Sequence, residues 1–140
     1  MSEVWRDLVA AALTDPEPDG AAAAARRSLL VQMSRDGQLP NAAARGAVAE
    51  ALLRGGDLVA VQVAETLALG AMGGWPQARV LAARAFDRKR QLAGQPQKFG
   101  TVWTVGARGP ELWPVDPATT DSERAKWGLP GLAELRRRRL

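Results

Sequence analysis

The 140-residue sequence contains no cysteine, no histidine, no tyrosine and no isoleucine. Without cysteine there is no disulfide and no thiolate nucleophile. Without histidine there is no imidazole base, and with both missing every zinc site built on Cys or His is excluded. Phenolic acid chemistry goes with tyrosine. Long hydrophobic runs are also missing. The longest uncharged stretch, Thr66 to Ala78, is interrupted by Gly70, Gly73, Gly74 and Pro76 and cannot span a membrane. The start, Met1-Ser2-Glu3-Val4-Trp5-Arg6-Asp7, is charged and leads into no apolar core of a secretory signal. A cytoplasmic protein is expected, with no membrane partner. No Walker loop, dinucleotide fingerprint, Ser elbow or Asp-rich metal loop is present, so neither cofactor nor metal is expected.

What is there is mostly small. Hydrophobic residues make up 46% of the chain, and 27 of its residues are Ala against 17 Leu and 11 Val. Such a balance favours closely packed helices over bulky β-layers, and the length suits one domain. The net charge of +4 hides an asymmetry. Residues 1–70 carry six Arg against nine acidic side chains, whereas residues 71–140 carry thirteen Lys or Arg against six. Four of those positives are the run Arg136–Arg139. A basic half steers anionic partners, but a solvated, frayed terminus explains the same run.

Asp15-Pro16-Glu17-Pro18-Asp19-Gly20, Ser34–Asn41 and Gly70–Pro76 punctuate the chain as loops. Between them the apolar residues recur with helical spacing. Val4, Leu8, Val9, Ala12 and Leu13 form the face of a first helix. Ala21–Met33 makes a second, capped by Asp19, with Leu29, Leu30 and Met33 inward. Asn41 caps a third that runs to Arg54, with Ala44, Val48 and Leu52 on one side. After Gly55-Gly56, Asp57 caps a fourth that is apolar on most sides and is expected to be the most buried. Pro76 opens a fifth, with Val80, Leu81, Ala85 and Phe86 inward and Arg79, Arg84, Arg88 and Lys89 outward.

After Leu92 the pattern changes. Phe99–Val105 and Glu111–Val115 alternate around Gly106-Ala107-Arg108-Gly109, which predicts a short β-hairpin with its second strand at an edge. Thr119–Trp127 and Leu132–Arg138 predict two short terminal helices around Gly128-Leu129-Pro130. The expected fold is mainly α, a small multi-helix bundle with a short C-terminal β-hairpin. It forms a single domain: a helical bundle over 1–92, the turn, hairpin and terminal helices over 93–135, and a basic tail over 136–140.

The segment Asp87-Arg88-Lys89-Arg90-Gln91-Leu92-Ala93-Gly94-Gln95-Pro96-Gln97-Lys98-Phe99-Gly100-Thr101 is followed by Leu112-Trp113-Pro114-Val115-Asp116. Then come Asp121 with Arg124, and Gly128-Leu129-Pro130-Gly131-Leu132. This series resembles the signature of a bacterial family, domain of unknown function 6624, over residues 87–135. The resemblance implies a shared fold and no particular reaction. Three positions depart from the family pattern: Met33 stands where the family tends to have His, Phe99 where it has Tyr, and Val102 where it has Gln. If those three make a polar site in the family, this chain has lost it.

The densest polar cluster is Asp87, Arg88, Gln91, Gln95, Gln97 and Lys98 around Pro96. Primary amides beside a carboxylate can recognise a peptide backbone or a polar small molecule. They can equally satisfy backbone groups in an irregular turn, with Asp87 paired to a neighbouring Arg. Of the five Trp, Trp103 and Trp113 are expected to face one another across the hairpin with Trp127 over them. That makes either an aromatic recognition wall or a small core. Acid–base chemistry would rest on Asp87 or on Glu65, whose place in an apolar helix favours a raised pKa or pairing with Arg84 or Arg88. Nucleic acid could meet Arg79, Arg84, Arg88, Lys89 and Arg136, although no nucleic-acid-binding motif is present. The residues together point first to a non-catalytic protein- or peptide-binding module. Recognition is expected through the Gln95-Pro96-Gln97 turn and the hairpin, with Asp87, Arg88, Gln91, Gln95, Gln97, Lys98 and Trp103 as the ligand-binding residues. A small enzyme or enzyme accessory subunit, acting on a peptide or polar metabolite, stands second.

Overall fold

A computed structural model describes residues 4–138. The charged start Met1–Glu3 and the end of the basic tail, Arg139 and Leu140, lie outside the described residues. Five helices come first: α1 (Val4–Thr14), α2 (Ala21–Arg35), α3 (Ala42–Leu52), α4 (Leu58–Ala71) and α5 (Ala78–Leu92). A two-stranded antiparallel hairpin, β1 (Trp103–Gly106) and β2 (Gly109–Leu112), follows, and then the short helices α6 (Asp121–Lys126) and α7 (Leu132–Arg137). The architecture is mainly helical, a small bundle with a C-terminal hairpin.

Local chemistry explains the helix starts. The Asn41 side chain accepts from the Ala44 N–H at 2.9 Å, and Asp57 accepts from the Ala60 N–H at 3.2 Å. Asp19 does not cap α2 as expected: its Oδ1 accepts from the Gly56 N–H at 2.9 Å, tying the first loop to the α3–α4 turn. Gly20 is the N-cap instead and has no side chain to offer. Helix α5 starts at Ala78, two residues after Pro76, which forms part of the preceding turn.

The core sits where α3, α4 and α5 meet. Ala44, Ala49, Ala51, Ala60, Ala64, Ala68, Ala78, Ala82 and Ala85 are all buried, which lets backbones approach closely. Leu30, Val48, Leu52 and Val61 fill the remaining space at 0% exposure. Each contributes about 1.5–3 kcal/mol by leaving water. Gly46 is where Trp75 lies on α3: a Cβ there would stand 1.8 Å from the Trp75 ring. Two expectations need correction. Leu29 points outward, 55% exposed, while Leu30 takes the inner position. Helix α4 runs between α3 and α5, yet Leu58, Val59 and Leu69 on it are about half exposed, so it is not enclosed on every side.

The hairpin is shorter than its sequence pattern. In the register Trp103 faces Leu112 and Val105 faces Pro110, so Trp103 and Trp113 are not cross-strand partners. Pro114 and the irregular run from Phe99 stop the ladder early. The segment before the hairpin instead pairs with the segment after it. The Gln97 N–H donates to Pro114 O, and the Asp116 N–H donates to Gln97 O, both at 2.8 Å.

Candidate functional site

Asp87 lies in α5 with 0% exposure, and the loop that follows wraps around its carboxylate. Oδ1 accepts from the N–H groups of Lys98 (2.8 Å) and Phe99 (2.9 Å). Oδ2 accepts from the N–H groups of Gly100 (3.2 Å) and Thr101 (3.1 Å) and from the Thr101 hydroxyl (2.6 Å). Four successive backbone donors converge on one carboxylate, which requires the sharp local path that Gly100, at φ +110°, supplies. Among the described residues no arginine pairs with Asp87: backbone groups and the Thr101 hydroxyl fill the role expected of one.

Gln97 is also at 0% exposure. Its Nε2 donates to Val102 O (3.0 Å) and Trp113 O (2.7 Å), and its Oε1 accepts from the Val102 N–H (3.0 Å). Arg124, 2% exposed, donates from Nε to Phe99 O at 2.7 Å and from a terminal nitrogen to Thr119 O and Asp121. Sequence reasoning passed over Arg124 as a site-building residue, although its spacing from Asp121 was visible in the motif. Asp87, Gln97 and Arg124 thus shape the loop from inside, and the first two offer no surface to a ligand.

The remaining expected residues are dispersed. Arg88 and Gln91 form a strut: Arg88 donates to Gln91 Oε1 and to Gly55 O, while Gln91 Nε2 donates to Trp103 O. The Gln95 side chain is exposed, and its carbonyl accepts from the Trp113 indole N–H at 2.7 Å. Lys98 pairs with Glu123 at 2.8 Å and stands over the rings of Phe86 and Phe99. Glu65 is paired with Lys89 at 2.6 Å, rather than with Arg84 or Arg88. The expected basic face of α5 is not continuous. Arg79 donates to Lys126 O, Arg88 reaches Gly55 and Lys89 turns to Glu65. Arg136 is exposed on α7. Among the described residues no group of three or more Asp or Glu could hold a metal ion, and no helix is long and apolar enough to cross a membrane.

Trp127 packs against Phe99 at a centroid distance of 5.6 Å, and Phe86 meets the same ring edge-on at 6.1 Å. It does not close over Trp103 and Trp113. These three rings, with Leu69, Ala82 and Ala83, line a cavity of about 330 Å³ whose polar lining is Glu65, Lys89 and Lys98. Of the three departures from the family pattern, Met33 packs against the main core and Phe99 belongs to the second, aromatic one. Val102 is held by Gln97 at the base of the hairpin. The three occupy different places rather than one emptied site. Comparison of the chain with protein-family models, curated proteins and solved structures finds no match.

Proposed function

We propose that this chain is a non-catalytic protein- or peptide-binding module, bacterial and cytoplasmic, of the family of domain of unknown function 6624. The observation that carries the reading is the groove of Phe86, Phe99 and Trp127, with half-exposed Leu69 beside them. Its occupant is a peptide segment that lays an aromatic or long aliphatic side chain against the accessible parts of the Phe86 and Trp127 rings. Burial of such a group supplies the driving force. The Lys89–Glu65 and Lys98–Glu123 pairs offer polar groups to the flanking backbone. Support for the family placement comes from the motif itself: Asp87, Gln97, Thr101 and Arg124 all serve one loop. Binding is preferred over catalysis because Asp87 is enclosed and Glu65 is tied to a lysine.

The test is selection of random peptides displayed on phage against the immobilised chain. Enriched peptides are expected to share an aromatic or long aliphatic residue, and to be lost with Leu69→Glu and Phe86→Ala. Leu69 is 48% exposed, so its substitution leaves the fold standing even if Phe86→Ala does not. No enrichment, or enrichment indifferent to Leu69→Glu, overturns the proposal.

A further inference from the structure

Arg84 differs from every other cation on α5. Arg79 donates to Lys126 O, Arg88 to Gln91, Lys89 to Glu65, and Arg90 to Pro96 O with Asp116 at 4.0 Å. Arg84 is half-buried, and among the described residues it has neither a hydrogen-bond partner nor an ion pair. It lines a cavity of about 330 Å³ with Val80, Gly100, Thr101, Trp103, Leu129 and Leu135. Arg138, at the same cavity, stands 3.7 Å from Glu134. Burial pulls the Arg84 guanidinium below its ordinary value, opposed by the field of Glu50. A guanidinium taken out of water without a partner is unfavourable unless something brings the matching charge.

We propose that this cavity binds a carboxylate monoanion carried on an apolar body. The fork of Arg84 matches the two oxygens of a carboxylate. Val80, Leu129, Leu135 and the Trp103 ring take the hydrocarbon. The Thr101 hydroxyl already donates its hydrogen bond to Asp87, so the donors left to the ligand are the guanidiniums of Arg84 and, at the rim, Arg138. The cavity lies on the Gly100–Thr101 side of the loop, apart from the Phe86–Trp127 groove, and shares with it none of its lining residues. Two sources carry this chemistry: a free medium-chain acid, or the C-terminal carboxylate of an apolar peptide.

The experiment is an amide-shift titration of the isotope-labelled chain with octanoate, with octanamide, and with Ala-Leu-Phe bearing a free or an amidated C-terminus. Octanoate is expected to shift Gly100, Thr101 and Trp103 saturably, and octanamide to leave them in place. Arg84→Met should weaken octanoate at least tenfold, and Arg84→Lys, which keeps the charge and loses the fork, by a smaller factor. Removing an unpaired charge should not lower the melting temperature of Arg84→Met, so lost binding is not lost fold. If the free peptide binds tighter than octanoate and the amidated one does not bind, the peptide terminus is the source. If octanoate is tighter, the source is a free acid. Equal response to octanoate and octanamide, no saturable shift with any of the four ligands, or undiminished binding by Arg84→Met overturns the proposal. None of these outcomes bears on Leu69 or Phe86, so the groove reading stands or falls separately.

Discussion

Thr101 donates twice to Asp87, through its backbone N–H at 3.1 Å and its hydroxyl at 2.6 Å, and both bonds end on the same carboxylate oxygen. Three further N–H groups complete the set. In Asp87→Asn an NH2 would face donors that it cannot satisfy, and stability should fall by about 3 kcal/mol. Urea unfolding measures it. A loss below about 0.5 kcal/mol, the level of an indifferent surface change, would contradict the role given to the carboxylate.

Gln97 should behave as a structural residue rather than a contact residue. Truncation to Ala leaves the carbonyls of Val102 and Trp113 and the Val102 N–H without their side-chain partner. The expected cost is about 2–3 kcal/mol, with faster amide exchange at Val102 and Trp113. Unchanged exchange there, combined with lost peptide binding, would restore Gln97 as a contact residue.

Two glycines should respond in opposite directions. A Cβ at Gly46 would meet the Trp75 ring at 1.8 Å, so Gly46→Ala should cost at least the usual 1–3 kcal/mol of overpacking. Gly70 lies in α4 with nothing within 4 Å of an added Cβ. There Gly70→Ala should gain about 0.5–1 kcal/mol from the better helix former. Melting temperatures decide it: an undiminished value for Gly46→Ala would contradict the packing at Trp75, and a lowered one for Gly70→Ala would contradict the open space beside α4.

Two carboxylates tie pH to local stability. The Leu132 N–H, at 3.0 Å, and Arg124 hold Asp121 below the ordinary carboxylate value, against a raising effect of burial. Arg26, at 2.8 Å, and the Glu17 N–H do the same for Asp15. A depressed folded-state pKa contributes stability that is complete above the unfolded value, about 3.9, and is lost as pH falls through the folded one. The α6–α7 junction and the α1–α2 loop should therefore loosen only below about pH 4. Carboxyl-carbon shifts in a pH titration should place both midpoints under that value, and a midpoint above it at either residue would contradict the hydrogen bonding described.

Helix positions were legible because apolar spacing and caps act locally: Asn41 and Asp57 do what their sequence context says. Asp19 was misread because its partner, Gly56, is 37 residues away. The polar cluster around Pro96 was legible as a cluster but not as an interior. Amides and a carboxylate have the same sequence signature whether they meet a ligand or backbone donors. Which they do depends on the path that Gly100 allows the loop. The aromatic groove escaped notice because Phe86, Phe99 and Trp127 come from three separate segments. The unpartnered state of Arg84 is a fact of tertiary placement alone.

The central claim, that buried motif residues build a loop whose aromatic side is the binding surface, is tested most directly by shift mapping. A peptide selected by display would be titrated into the isotope-labelled chain. The account predicts perturbations at Leu69, Phe86, Lys98 and Phe99 and at the Trp127 indole, with the Asp87-bound amide of Gly100 kept protected from exchange. Perturbations confined to the separate pocket of Ser34, Arg35 and Val59, away from these rings, would contradict it.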